Sequence, residues 1–165
     1  MIDIIKVANK LVKEGFIKRY AIGGSMGVMF YTEVFSTKDL DVFILPVEST
    51  SVILNLEPMY RYLKELGYKM EGQYFIIGGI PVDFAPVYNE LTLEALKNSI
   101  KKRYGDVKVN ILRPEYLIAI ALQTGRKQDF RKIDLLIEEA SINKKLLRDI
   151  LRRYDLEDRW RRYVR

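Results

Sequence analysis

Apolar residues follow both strand-like and helix-like spacings up to about residue 112, and only helix-like spacings beyond it. Helical periodicity predicts helices over 2–14, 26–32, 56–66, 91–104, 114–124 and from about 128 to the end. Alternation or short apolar runs predict strands over 19–22, 40–45, 68–87 and 107–112. The order predicts an α+β or α/β body over 1–112, of which we take the α+β form with a mixed sheet flanked by helices, and a helical extension over 113–165 that packs on it.

The composition excludes several kinds of site. The 165 residues include no cysteine and no histidine, which rules out disulfides, thiolate nucleophiles, sulfur-ligated zinc and imidazole-based triads. A catalytic metal would therefore depend on carboxylates, which favours Mg²⁺ or Mn²⁺. A general base would be Asp, Glu, Lys or Tyr.

The net charge of +6 suits an anionic partner such as nucleotide phosphates or a nucleic acid, although it is equally consistent with an ordinary basic protein. The apolar runs are far shorter than a membrane span. The first residues lack the charged, apolar and small-residue order of a signal peptide. We expect a cytoplasmic protein with no membrane association.

Two acids stand at the start of a predicted strand, in the segment Asp39-Leu40-Asp41. Alternate side chains of a strand share a face, so Asp39 and Asp41 point the same way, roughly 7 Å apart along the strand. Such a pair can converge on divalent cations, which offset the repulsion between the two charges. Two solvated acids at a strand start would give the same pattern.

A third acid, Asp83, lies within the apolar segment 80–87. A carboxylate buried there without a partner would cost several kcal/mol, so it requires hydrogen bonds, a cation or a metal. The preceding Gly78-Gly79 pair predicts a two-residue hairpin turn that can place this strand beside the one carrying Asp41. The alternative is an exposed acid on an edge strand.

The segment Gly23-Gly24-Ser25 follows a predicted strand and precedes a short predicted helix, with Ser25 as its cap. Glycines allow close approach of a ligand to the backbone, and a helix start presents free N–H groups to an anion. The segment lacks the Gly-Lys-Ser/Thr ending of the longer phosphate loop. An ordinary strand-to-helix turn would have the same sequence.

Together, Ile22, Gly24, Ser25, the Asp39/Asp41 pair and the later Asp83 resemble the motifs of the polymerase-β nucleotidyltransferase superfamily. The stretch from Arg113-Pro114-Glu115 to Asp129 is similar to the helical tail of small bacterial and archaeal members, several of which are toxins of toxin–antitoxin or abortive-infection systems. The resemblance covers about residues 18–140. Two positions depart from those small members: Ala121 stands where a lysine is frequent, and Lys132 where a second acid is frequent.

The resemblance implies a metal-dependent nucleotidyltransferase that moves a nucleoside monophosphate from an NTP to an acceptor hydroxyl or phosphate. Asp39, Asp41 and Asp83 would be the catalytic, metal-binding residues, with Mg²⁺ or Mn²⁺ as cofactor. The nucleotide-binding residues would be Gly23, Gly24, Ser25, Lys38, Arg126 and Lys127.

Several partners follow as expectations from the same resemblance and from the charge: the NTP, a nucleic acid such as a tRNA end or else a protein as acceptor, and an antitoxin protein. The basic C-terminal stretch motivates the nucleic acid, through Arg148, Arg152, Arg153, Arg159, Arg161, Arg162 and Arg165. The alternative is a non-catalytic nucleotide- or RNA-binding protein that retains the fold.

Overall fold

The computed structural model describes residues 1–33, 37, 39–47 and 55–164. The helices are α1 (Ile2–Lys13), α2 (Gly24–Met29), α3 (Glu57–Glu65), α4 (Glu90–Lys97), α5 (Pro114–Thr124), α6 (Lys127–Glu139), α7 (Lys144–Arg153) and α8 (Glu157–Tyr163). The strands are β1 (Ile17–Ile22), β2 (Leu40–Pro46), β3 (Lys69–Glu71), β4 (Tyr74–Ile77), β5 (Ile80–Pro86), β6 (Ile100–Tyr104) and β7 (Val107–Ile111). The predicted α+β class and the purely helical part after residue 112 are confirmed.

The seven strands form one mixed sheet in the order β3-β4-β5-β2-β1-β7-β6. At its centre, β2 runs antiparallel to β1 and parallel to β5, and β1 runs parallel to β7. The Gly78-Gly79 turn joins β4 to β5 as predicted, with positive φ of 59° and 77° at the two glycines. That turn pairs β4 with β5, and β5 lies beside β2 on its other edge.

Side chains that alternate along β2 and β5 enter two separate apolar cores. Leu40, Val42 and Ile44 pack on one face of the sheet with residues of α1 and α3. Phe43 packs on the other face with residues of α4, α5, α6 and α7. Since each buried large aliphatic side chain contributes about 1.5–3 kcal/mol, both layers are strongly fixed. Asp41 shares the Phe43 side, and so faces the helices that follow residue 112.

One predicted helix, over 91–104, is wrong in its second half. Helix α4 ends at Lys97, and residues 100–104 form the edge strand β6, which pairs antiparallel with β7. A two-residue turn, with Gly105 at a positive φ of 58°, connects the two strands. Three consecutive charged residues, 101–103, give this segment no alternation of its own, so the pairing with β7 decides the conformation.

The predicted cap of α2 also differs. The helix begins at Gly24, with Gly23 rather than Ser25 in the capping position and no side-chain cap hydrogen bond. Ser25 instead lies in the first turn of the helix. None of the helices within the described ranges has the length and apolar character that crossing a bilayer requires.

Candidate active site

The central feature of the site is the pairing of Asp41 on β2 with Asp83 on β5. The two residues are register partners in the parallel β2/β5 ladder. Neighbouring strands lie about 4.8 Å apart, and residues in register project to the same face. The structure therefore brings together two of the three predicted acids, and the predicted neighbourhood of their strands is confirmed.

Asp39 stands immediately before β2. Its Oδ1 accepts a hydrogen bond of 2.9 Å from the Thr37 hydroxyl, and its backbone carbonyl accepts another of 2.9 Å from the same hydroxyl. These two hydrogen bonds fix Asp39 just before the start of β2. Its negative charge acts on both other acids, since it raises the pKa of Asp41 and of Asp83.

The environment of Asp41 and Asp83 disfavours their charged forms. Burial is the largest cause of the raised pKa of Asp41; Asp39 and Asp83 raise it further, while Lys132 and Arg126 oppose the shift. Burial also raises the pKa of Asp83, against a hydrogen bond of 3.1 Å that its Oδ2 accepts from the Gln73 side-chain amide. Clustered acids of this kind are typical of sites that bind a cation or transfer a proton.

Gly24 allows the backbone of the turn to lie directly against the Asp41 carboxylate. A Cβ placed on Gly24 would be 1.7 Å from Asp41 Oδ2, and the φ of Gly24 is +52°. The backbone N–H of Gly23 donates to the Asp41 carbonyl over 3.0 Å, which ties the turn to β2. Both glycines are therefore required by the geometry, because any side chain at Gly24 would displace the carboxylate.

A cleft of about 190 Å³ lies beside Asp41 and Gly24, bounded by the end of β5 and by helices α5 and α6. Its polar lining includes Tyr88, Arg126, Asp129 and Lys132. The cleft therefore joins Asp41 to the cations of the helical part, whereas Asp39 and Asp83 are not part of its lining.

The two cations of this lining, Arg126 and Lys132, share the buried carboxylate of Asp129. Arg126 Nε donates to Asp129 Oδ2 over 2.9 Å, and Lys132 Nζ donates to Asp129 Oδ1 over 3.0 Å. Asp129 is only 2% exposed and Lys132 8%. Although burial acts to raise the pKa of Asp129, the hydrogen bonds from Arg126 and Lys132 lower it overall, so this acid remains ionised.

The other predicted binding residues differ in their placement. Ser25 is half-buried in the first turn of α2, and Lys127 is exposed at the start of α6; neither lines the cleft. Lys38 lies outside the described residues. Sequence reasoning placed Arg126 near the nucleotide, but gave no role to Gln73, Asp129 or Lys132. The spacing of Arg126, Asp129 and Lys132 by three residues puts them on one face of α6, a signal that could have found the network.

The donor set suits a hard divalent cation. Asp39, Asp41 and Asp83 offer only carboxylate oxygens, and their mutual repulsion is the kind that a bound cation relieves. In the described part of the chain, no group of three acidic side chains stands in an arrangement that could hold a metal ion. Ion binding would therefore reorient at least one of the three carboxylates.

Comparison with known proteins places this geometry in a known architecture. An antigenic nucleotidyltransferase-like protein from Paracoccidioides brasiliensis superposes with a TM-score of 0.59 at 15% identity, over 94% of this chain and 89% of that chain. The chain has a nucleotidyltransferase fold. ANT(2″)-Ia, in complex with adenylyl-2″-tobramycin, superposes with a TM-score of 0.51 at 13% identity, over 95% of this chain and 97% of that chain. No protein-family model and no curated protein matched the sequence.

Proposed function

We propose that the protein transfers a nucleoside monophosphate from an NTP to an acceptor hydroxyl or phosphate, with Mg²⁺ or Mn²⁺ held by Asp39, Asp41 and Asp83. The observation that carries this proposal is the in-register pair Asp41/Asp83, with Asp39 at its mouth. The nucleotidyltransferase fold supports it at the level of the general reaction. Asp41 lies on β2 and Asp83 on β5, while Asp39 immediately precedes β2.

The nucleotide would lie between the Gly23-Gly24-Ser25 turn and the cleft. The tight contact of Gly24 with Asp41 puts backbone N–H groups and the metal-binding acid at one place. Arg126 lines the cleft and can contact the phosphates. Lys127 and Lys38 stay in the proposal as further phosphate contacts, although Lys127 would have to reach in from an exposed position.

In this proposal the acids divide the work. When bound, divalent ions neutralise the phosphates and make the α-phosphate more electrophilic. Asp41 and Asp39 hold the nucleotide side. Asp83, half-buried and with a raised pKa, orients the acceptor and takes the proton of its hydroxyl. The remaining rate enhancement comes from positioning the reactants and from fixed charges around them.

For the acceptor we propose a nucleic acid, such as the end of a tRNA. Three of the C-terminal arginines are engaged in ion pairs: Arg152 with Asp149, Arg153 with Glu94 and Asp149, and Arg161 with Asp158. The region that we propose for the nucleic acid is a surface depression of about 550 Å³ lined by Arg159, Arg162 and two aromatic rings. These are the rings of Phe130 and Tyr163, which stack with their centroids 5.5 Å apart. Cations beside stacked rings suit single-stranded nucleic acid.

A protein partner of the antitoxin kind would need an apolar surface. A groove between α6, α7 and α8 supplies one, where Ile137 and Val164 are 45% and 54% exposed beside Trp160. An acceptor hydroxyl on such a partner is the protein alternative to the nucleic acid.

The test is incubation of the pure protein with Mg²⁺ and each α-³²P-labelled NTP, in the presence of tRNA, a protein extract or an aminoglycoside. The last is included because ANT(2″)-Ia was found with an adenylylated aminoglycoside. A labelled acceptor that Asp41→Asn does not produce is the expected result. If NTPs bind without any transfer, the non-catalytic binding protein is the better description.

A further inference from the structure

Lys132 is a buried cation in the same cleft as the proposed metal-binding acid Asp41. It lies in the middle of α6, is 8% exposed, and lines the cleft together with Asp41 and Gly24. A buried ammonium is costly unless it is paired, so its position demands an explanation beyond surface solubility. Its pair with Asp129 explains how it is tolerated but not why it faces the site.

Asp129 fixes where this charge stands. Lys132 lies one helical turn after Asp129, and their atoms Nζ and Oδ1 are 3.0 Å apart. The second oxygen of Asp129 is occupied by Arg126 at 2.9 Å. With the acid only 2% exposed and both oxygens engaged, Lys132 is held in the cleft before any ligand arrives. Two cations and one acid leave this wall of the cleft with a net positive charge.

That charge and Asp41 share one small cleft. Both side chains line the same space of about 190 Å³, with Gly24 beside them. A fixed cation in this position acts with opposite sign on two possible ligands. It opposes a lone divalent ion at Asp41, because like charges repel at short range, and it favours an ion that arrives together with the negative charges of a triphosphate.

We propose that Lys132, positioned by Asp129, makes metal binding depend on the nucleotide, so that the site takes the divalent ion as a metal–NTP complex in preference to the free ion. The inference rests on the proposed function and concerns the same site. It assigns to Lys132 and Asp129 a positioning and selection role rather than a catalytic one.

The test measures two affinities in the variant Lys132→Met. One is for Mn²⁺ alone, by electron paramagnetic resonance; the other is for Mn²⁺ with the α,β-methylene analogue of each NTP, by calorimetry. We expect free Mn²⁺ to bind more tightly and Mn²⁺–analogue more weakly, each by on the order of ten-fold. Changes in opposite directions are the signature, since general damage to the site would weaken both.

Arg131→Met is the matched control. It removes one positive charge from the same helix, at an exposed position outside the cleft, and should change both affinities by less than about two-fold. Lys132→Arg retains the charge and should keep the wild-type preference. Lys132→Gln can still donate to Asp129 without a charge, so it replaces the methionine variant if that one does not fold.

The possible outcomes separate the two proposals. If wild-type protein binds neither Mn²⁺ nor Mn²⁺–analogue, the proposed function fails, and the inference fails with it. If the wild type binds both and neutral variants of Lys132 shift the two affinities in the same direction, or no more than Arg131→Met does, then only the role of Lys132 is overturned.

Discussion

Asp41 and Asp83 are register partners on two parallel strands, although 42 residues separate them in the sequence. Their carboxylates share one face of the sheet, with Asp39 close enough to raise the pKa of both. Three acids in one partly buried site do not stabilise the fold, because their charges repel each other. Burial and mutual repulsion therefore disfavour the ionised forms of Asp41 and Asp83, and a bound cation would offset that cost.

The first prediction concerns the stability of Asp41→Asn. Because the pKa of Asp41 is raised above its ordinary value of 3.8, the protonated form stabilises the fold at low pH, and this contribution is lost as pH rises through the raised value. Ionised Asp41 is thus destabilising at pH 7. We expect the neutral variant to raise the free energy of unfolding by on the order of 1 kcal/mol without metal.

With metal and nucleotide bound, we expect the wild type to be more stable than Asp41→Asn. Mn²⁺ with an NTP should raise the melting temperature of the wild type but not that of Asp41→Asn, because a ligand stabilises only the folded state that binds it. Thermal melts with and without Mn²⁺–NTP measure both effects. Equal Mn²⁺ titration curves for the two proteins would show that Asp41 is not a ligand.

The second prediction separates close approach from backbone strain. Gly24→Ala forces a Cβ to within 1.7 Å of Asp41 Oδ2, so the carboxylate must move, and binding of Mn²⁺–NTP should fall by at least ten-fold. Gly67→Ala is the control, since Gly67 also has a positive φ, of +89°, but has open space where the Cβ would stand. The positive φ should cost each variant about 1–2 kcal/mol of stability, and Gly24→Ala should lose more because of the overlap with Asp41. Equal loss of nucleotide binding in both variants would contradict the proposed contact.

The third prediction concerns the hydrogen bonds that Glu94 on α4 accepts from residues of the helical part. Tyr116 donates to Glu94 Oε1 over 2.6 Å, while Arg153 and Tyr154 donate to Oε2. Although burial opposes it, these bonds lower the pKa of Glu94 from 4.5 to about 2. Glu94→Gln should lower the free energy of unfolding by about 2 kcal/mol at pH 7. This figure is smaller than the pKa change alone would give, because Arg153 is 39% exposed and its charge is screened by water.

The pH dependence gives this prediction its sign. A lowered pKa contributes stability that is fully present above pH 4.5 and disappears as pH falls toward 2. The difference between wild type and Glu94→Gln in urea titrations should therefore be constant from pH 5 to 7 and shrink below pH 4.5. Glu57→Gln, in an exposed pair with Arg61 at 3.9 Å, should change stability by less than about 0.5 kcal/mol.

The fourth prediction tests the nucleic-acid acceptor. If RNA lies over the depression around Arg162, Arg162→Ala should weaken binding and reduce the slope of log K against log salt by about 0.7, the value for one phosphate contact on a single strand. Arg61→Ala, on α3 at the opposite face of the sheet, should leave the slope unchanged. Fluorescence anisotropy between 50 and 200 mM salt measures both. RNA binding that does not depend on salt would exclude this surface as the acceptor site.

Local patterns were sufficient to predict the strands that carry the acids. The alternation around Asp41, the apolar surroundings of Asp83 and the Gly78-Gly79 turn are all readable within a few residues. The turn pairs β4 with β5, whereas the pairing of β5 with β2 joins distant segments and is fixed by tertiary packing. Residues 100–104 were predicted wrongly, because an edge strand whose side chains are mainly charged is identified by its partner β7.

The helical wall of the cleft was not predictable in the same way. Arg126 was expected near the nucleotide and does line the cleft, whereas Lys127, its neighbour, points away into solvent. The role of Asp129 and Lys132 depends on how α6 packs against the sheet, and neither residue has a local pattern that gives its distance from Asp41. Such contacts between distant segments are fixed by tertiary packing.

The last prediction is that Asp83→Asn separates binding from transfer. Asp83 lies beside Asp41, but it is the more open of the two and accepts a hydrogen bond from Gln73, whereas Asp41 lies against the Gly24 turn where the nucleotide is proposed to bind. The variant should therefore retain NTP binding within a few-fold of the wild type, while losing about 10²–10⁴-fold in transfer rate, as expected for removal of a general base. Asp41→Asn should lose both. Gln73→Ala is the control for local packing, because it removes the hydrogen bond but keeps the carboxylate, and transfer should continue. Calorimetry with the α,β-methylene analogue and transfer assays with labelled NTP make the comparison, and transfer at the wild-type rate by Asp83→Asn would remove Asp83 from the proposed mechanism.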